Sequence, residues 1–351
     1  MKNLFLCLFL LVSVASRSQP GRIDSLLDAY QSRRQLNGIV LVAQKGKVVY
    51  KKAVGVADSK TGKPLTTGSK FLIGSLTKSF TAIAVMQLAE KRLLDLHKPV
   101  GHYLPRLNKE IGDALTLHLL LKQSSGLPVH LNRITALKHA DLTEDELVQL
   151  FDTVTLHMKP GTGYEYSNLN YQLAAVIVAK VSGLSYKQYI ERHILLPLGM
   201  KNSGLERTTE VPDGIAAGHE VKDEQFLEAG KNYTSYALGS GDIYTTADDL
   251  LLLDQALYAN SFLTGESKTM LFDGKPEVFG GYGYGFRIKA YSRLSAEKPV
   301  GKLARHGGTM LGYTCNMSRY LDDQLTIIIL GNIRPFPVME INDAIAEIIL
   351  K

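Results

Sequence analysis

A hydroxyl and an amine three residues apart, in Ser75-Leu76-Thr77-Lys78, stand at the head of an apolar stretch that runs to Ala89. Positions i and i+3 of a helix share a face, so the serine oxygen can meet a proton acceptor there. The helix N-terminus adds unpaired N–H groups where negative charge would develop. Together these are the minimum for a serine acyl-transfer nucleophile. Alone the pair says little. Ser-x-x-Lys arises by chance in most chains of this length, and it also describes a helix-capping serine followed by a solvated lysine.

Two other segments could supply partners. Tyr166 and Asn168 are two residues apart in the loop 160–168, so both can face one cleft. A phenol with an ordinary pKa near ~10 is a poor base. Beside a Lys78 cation, however, the phenolate is favoured, and Tyr166 could then take the Ser75 proton. Asn168 offers a donor and an acceptor, for a substrate amide or for orienting Lys78. It could equally cap the next helix, and Tyr166 is one of 17 tyrosines. In Arg305-His306-Gly307-Gly308-Thr309, paired glycines let a substrate come close to backbone N–H groups. A strand edge there could give a second oxyanion donor and the histidine could touch substrate, although His-Gly-Gly also suits a surface turn.

The elements must bring these segments together. Residues 38–43 and 48–56 are β-rich runs split by Lys45-Gly46-Lys47, a hairpin signal. Residues 284–288, 313–320 and 325–330 are expected as three more strands, the last two joined at Asp322-Asp323, with 338–350 as a closing helix. Gly280 to Gly285, interleaved with Tyr282 and Tyr284, is expected as a bulged approach to a strand near the cleft. Strands at both ends imply one sheet assembled from the two termini. The middle is mostly helical. Thr143-x-x-Glu146 is a capping box, 169–181 stops at Gly183, and Thr246-x-x-Asp249 opens a helix through Tyr258. The helix after Ser75 is apolar nearly all round and is expected to be buried, with its N-terminus at a cleft.

In this order the three segments resemble the motifs of the serine β-lactamase-like family: class C β-lactamases, low-mass D-alanyl-D-alanine carboxypeptidases and related esterases. Ser-x-x-Lys stands as Ser75 to Lys78, Tyr-x-Asn as Tyr166-Ser167-Asn168, and Lys/His-x-Gly as His306-Gly307-Gly308. Residues 119–127 end in the family's Ser-Gly-Leu, and 160–168 is similar to its Pro-Gly-x-x-x-x-Tyr-Ser-Asn loop. Leu196-Pro197-Leu198-Gly199-Met200 is similar to its Pro-Leu-Gly-Met turn, and 239–249 to its glycine-rich approach to a capped helix. The likeness spans about residues 25–335.

That resemblance implies an α/β (α+β) fold: an antiparallel sheet built from both termini and flanked by helices, plus a mainly helical subdomain. The sheet part would take about 19–70 and 275–351 and the helical part about 71–274, as one domain over 19–351 with the site between the parts. Carried over, Ser75 is the nucleophile, Lys78 assists its deprotonation, and Tyr166 is the base partner that passes the proton to the leaving group. Lys78 and Tyr166 are treated as a coupled pair. Asn168 would hold the substrate amide, and His306, Gly307 and Gly308 would also bind substrate. The backbone N–H groups of Ser75 and Thr309 would form the oxyanion hole, each worth ~3 kcal/mol in the transition state.

The implied activity is a serine hydrolase forming an acyl-enzyme on a D-Ala cell-wall peptide, a small ester or a β-lactam. His306 replaces the lysine of many β-lactamases, and a neutral imidazole attracts a carboxylate less. Strand alternation would send Arg305 to the opposite face. Peptidase-like or esterase-like transfer is therefore expected ahead of efficient antibiotic hydrolysis. The alternative is a non-catalytic penicillin-binding-like cell-wall binder or sensor, against which the full set of four side chains argues. Activity should fall on the acid side as the Lys78/Tyr166 pair takes up a proton, with a second titration if His306 binds substrate.

Composition bounds the rest. With 351 residues, 45% hydrophobic and 21% charged, the chain can bury a large core and is not disordered. Residues 1–18 are expected as a secretory signal: Lys2, then an apolar run from Leu4 to Ala15, too short to span a bilayer, then small residues. Its loss would remove Lys2 and Arg17 and lower the formal charge from +6 to +4. It would also remove Cys7, leaving Cys315 without an internal disulfide partner. The expected location is thus periplasmic or secreted from a bacterium. Basic residues are dispersed and Trp is absent, which argues against nucleic acid. The nine histidines form no zinc motif and no phosphate-cradling glycine pattern occurs, so no metal and no cofactor are expected. The expected partner is a small-molecule or peptide substrate, and the mature chain is expected to be a monomer without a membrane span.

Overall fold

β1 (Gly38–Gln44) and β2 (Lys47–Val54) form a hairpin. Lys45 and Gly46 between them have φ of 50° and 76°, the paired left-handed conformations of a tight turn whose twist matches the strands. The chain rejoins this sheet as β3 (Arg287–Ser292), β4 (Val300–Met310), β5 (Tyr313–Tyr320) and β6 (Leu325–Gly331). The six strands are antiparallel, in the order β3-β4-β5-β6-β1-β2. Its seam joins the two ends of the chain, from Gly38 opposite Gly331 to Gln44 opposite Leu325. The computed structural model describes residues 19–130, 142–206, 212–232, 234–275, 279–295 and 297–351. The expected leader, 1–18, lies outside the described residues.

β1 and β6 are apolar at nearly every position because both faces of the sheet are covered. Alternation sends Val40, Val42, Ile327 and Ile329 into one buried cluster with Ile23 of α1 (Gln19–Ser32) and Ile341 and Ile345 of the closing helix, Val338–Leu350. Ile39, Leu41, Ile328 and Leu330 enter a larger cluster with Phe80 and Ile83 of α2 (Thr77–Glu90) and Leu173 and Ile177 of α3 (Asn168–Ser182). α2 is buried at every residue from Thr77 to Met86. α3 stops at Gly183, whose φ of 68° is cheap for a residue without a Cβ. Among the described residues no helix is long and apolar enough to cross a membrane.

Two strand expectations need correction. The segment expected at 284–288 begins later, at Arg287, because the preceding glycines form a turn, with positive φ at Gly280, Gly281 and Gly285. A Cβ at Gly285 would come within 2.7 Å of the Lys78 carbonyl oxygen, so this turn rests on the α2 backbone. β4 was not anticipated as an 11-residue strand. Its three glycines interrupt any apolar alternation, and ladders to β3 and β5 hold it extended instead.

Candidate active site

Ser75 sits in a short 3-10 turn, Gly74–Leu76, that runs straight into α2. The turn is held from behind by Ile73 N–H donating to the Ile243 carbonyl at 3.0 Å. In front of it passes β4. β3 pairs with β4 as far as Arg305, and beyond that residue the same edge faces the Ser75 turn. A Cβ at Gly308 would overlap the Ile73 carbonyl oxygen and lie 2.9 Å from Ser75 N. A Cβ at Gly74 would lie 2.9 Å from Thr309 N. The glycines therefore let two backbones touch, which brings the peptide groups of Ser75 and Thr309 to one place. His-Gly-Gly is mid-strand, and Gly308 makes room for the Ser75 turn where the sequence suggested room for substrate.

Lys78 is completely buried, one turn along α2. Its Nζ lies 3.0 Å from Ser75 Oγ, 2.7 Å from Asn168 Oδ1 and 2.8 Å from the Ser240 carbonyl oxygen. Burial drives its pKa well below the ordinary lysine value, opposed by the nearby Asp242 carboxylate and assisted by Arg287.

A hydrogen bond joins the Tyr166 phenol to the Ser75 hydroxyl, and the Tyr166 ring centroid is 5.0 Å from Lys78 Nζ. The phenolate reading is corrected here. Burial pushes Tyr166 up to about 12, and the Ser75 hydrogen bond and the Arg287 charge offset this only in part. A lysine that burial holds toward its neutral form does not stabilise a phenolate.

His306 also differs from expectation. It is buried, its Nε2 is 2.8 Å from the Tyr282 hydroxyl and its Nδ1 2.6 Å from the Gly307 carbonyl oxygen. Both ring nitrogens are engaged by the protein, behind Tyr166, whose ring centroid is 6.5 Å away. Burial lowers its pKa to about 3, so it does not titrate near neutrality.

Asn168 faces Lys78 because its neighbour does the capping. Ser167 Oγ accepts from Leu169 N at 3.1 Å and donates to the Pro128 carbonyl at 2.6 Å. The Ser124-Ser125-Gly126-Leu127 segment is a mould for this loop. Gln123 Oε1 accepts from Ser167 N at 2.8 Å and from Asn170 Nδ2 at 2.5 Å. Asn168 N donates to the Val129 carbonyl at 3.1 Å.

Ser75, Asn168 and Thr309 line a cavity of about 220 Å³, open to solvent. Hollows of about 760 and 930 Å³ lie elsewhere and contain none of these residues. Several contributors to the site escape sequence reasoning. Ser240 acts through its backbone carbonyl, which leaves no side-chain signature. His130 has its Nδ1 3.3 Å from Asn168 Nδ2. Arg287 lies 5.5 to 5.9 Å from the ring centroids of Tyr164, Tyr166 and Tyr282, close enough to act on the whole cluster. Nothing local separates any of them from an ordinary surface residue. The arrangement gathers a hydroxyl, an amine, a phenol and a doubled backbone edge, the set acyl transfer requires.

A family model described as Beta-lactamase matches residues 23–350. A penicillin-binding protein of Bacillus subtilis (strain 168) is 31% identical over 330 residues, covering 88% of this chain and 71% of that protein. Esterase EstB of Burkholderia gladioli is 27% identical over 288 residues, covering 71% of this chain and 72% of the esterase. Among solved structures, D-amino acid amidase from Ochrobactrum anthropi SV3, complexed with D-phenylalanine, aligns with a TM-score of 0.80 at 25% identity. That alignment covers 94% of this chain and 98% of the amidase. The match runs through the fold and all three motif segments, and the chain belongs to the β-lactamase family as a serine hydrolase.

Proposed function

We propose that this protein is an exported bacterial hydrolase that cleaves an amide or ester through an acyl-enzyme on Ser75, in a single domain over 19–351. Peptide or ester substrates rank ahead of efficient β-lactam hydrolysis. The observation that carries the reading is the environment of Lys78. A neutral amine has two hydrogens and one lone pair. Asn168 Oδ1 and the Ser240 carbonyl take the two hydrogens, and the lone pair is left for the Ser75 hydroxyl.

The steps follow. Ser75 gives its proton to Lys78 Nζ as Oγ bonds to the substrate carbonyl carbon. The oxyanion accepts from the backbone N–H groups of Ser75 and Thr309. As the tetrahedral carbon expels its leaving group, that group takes a proton from the Tyr166 phenol, and the resulting phenolate takes back the proton that Lys78 Nζ received from Ser75. Water then repeats the cycle, releasing the acid and restoring Ser75. The Asn168 Nδ2 carries two hydrogens and faces the His130 ring, so one N–H can be offered to the acyl part of the substrate. Amidase, esterase and penicillin-binding names among the relatives support both amide and ester substrates. A neutral, sequestered His306 supports the lower rank of β-lactams.

Labelling with fluorophosphonate and penicillin probes, followed by mass spectrometry of the adduct, tests this. Wild type is expected to label on Ser75, and folded Ser75→Ala to lose both labelling and hydrolysis, the latter by at least about 10⁴-fold. Equal labelling of the variant would refute the nucleophile, and absence of any acyl adduct in wild type would favour a binder. Turnover of a chromogenic cephalosporin near ~10⁸ M⁻¹s⁻¹ would reverse the substrate ranking.

A further inference from the structure

One permanently charged residue stands on the described wall of the Ser75 cavity, and it is Arg334. No Asp or Glu shares that wall, and the His130 imidazole there is held toward neutrality by burial. Arg334 is exposed, and among the described residues its guanidinium forms no ion pair or hydrogen bond. Its backbone, by contrast, is fixed. Ile333 and Arg334 pair in parallel with His219 and Glu220. The preceding Asn332 donates through Nδ2 to the carbonyls of Ala217 at 2.8 Å and Val56 at 3.1 Å. Glu220, the acid nearest in register, accepts instead from Gly312 N at 3.3 Å. A charge is thus presented to the cavity on a rigid support, and among the described residues no carboxylate pairs with it.

Its position along β4 says which part of a substrate it meets. Arg334 shares the wall with Met310 and Leu311, the residues that follow Thr309. Tyr166, which would protonate the leaving group, lies toward His306, at the other end of this stretch of β4, and is not on that wall. With the carbonyl at Thr309, the leaving group points one way and the acyl group the other.

We propose that Arg334 is a specificity residue that binds a carboxylate carried on the acyl part of the substrate, so that the preferred acyl donors are anionic. The assignment rests on the acyl-enzyme reading above. A guanidinium fork matches a carboxylate with two parallel N–H···O bonds. Because the group is exposed, the preference is modest and weakens with salt.

A matched pair of p-nitrophenyl esters tests it: the monoester of adipic acid, whose acyl chain ends in a carboxylate, and its methyl-capped neutral analogue. Spontaneous rates are subtracted with Ser75→Ala. Wild type is expected to favour the anionic donor about tenfold in kcat/KM, chiefly through KM, with the ratio shrinking between low and high salt. Arg334→Gln should bring the ratio near one, Arg334→Lys should retain most of it, and Arg334→Glu should invert it. A wild-type ratio near one, or a ratio unchanged in Arg334→Gln, would overturn the role of Arg334 and leave the acyl-enzyme standing. Failure of Ser75 to acylate with either ester would overturn both.

Discussion

At the scale of single residues, the proposed mechanism places the pH dependence on Lys78. It can accept the Ser75 proton only when neutral, so protonation removes activity, and its depressed folded value extends the active range downward from the usual lysine range. Tyr166 near 12 and His306 near 3 place their own titrations outside the neutral range. On a neutral ester between pH 4 and 10, kcat/KM is expected to rise through one acid limb and then level. Tyr166→Phe keeps the ring but removes the proton relay. It should cost ~10²–10⁴-fold in kcat and leave that limb where it was. Loss of the limb in the variant would move the base from Lys78 to Tyr166. The types and order of Ser75, Lys78, Tyr166 and Asn168 were legible in the chain. The charge states were not, because they depend on how much water each group loses, and that is set by residues as distant as Ser240 and Arg287.

At the scale of elements, the candidate site depends on β4 passing close to the Ser75 turn. Gly308→Ala drives a methyl into the Ile73 carbonyl and past Ser75 N, whereas Gly307→Ala meets the Cys315 carbonyl oxygen at 3.1 Å. The first is expected to cost about 2 kcal/mol or more in urea unfolding and to lower kcat by ~100-fold, by spreading the oxyanion donors. The second should be milder on both measures. Similar losses for the two would mean that the contact at Gly308 does not set the hole. The 143–146 capping box, the Gly183 stop and the closing helix were all legible, since each is a local bargain between a side chain and its own backbone. β4 was not, because its hydrogen bonds come from strands elsewhere in the chain.

At the scale of the whole molecule, the sheet is tied to the helical layer by a buried ion pair. Arg319 on β5 donates through Nε to Asp254 Oδ1 at 2.5 Å, and both side chains are fully buried between the sheet and the helix Ala247–Ala256. Arg319→Met strands the carboxylate and is expected to cost ~3–5 kcal/mol in chemical denaturation. Adding Asp254→Leu should recover most of that loss. A single variant within 1 kcal/mol of wild type would show that the pair bears little on stability. The closure of the sheet by the two chain ends was legible, because apolar strand runs at both termini need common cover. The Arg319 pairing was not, since neither partner differs in sequence from a surface charge.

By itself the sequence determined the chemistry on offer: a serine and a lysine at helical spacing, a phenol and an amide two apart, and a glycine pair near a strand. It also determined the sheet built from both ends, because burial demand follows directly from residue type. The tertiary structure alone decided which groups are neutral, which glycine permits backbone contact, and that Arg334 reaches the cavity. Those outcomes depend on solvent exclusion and close approach between segments far apart in the chain, and no local pattern of residues encodes either.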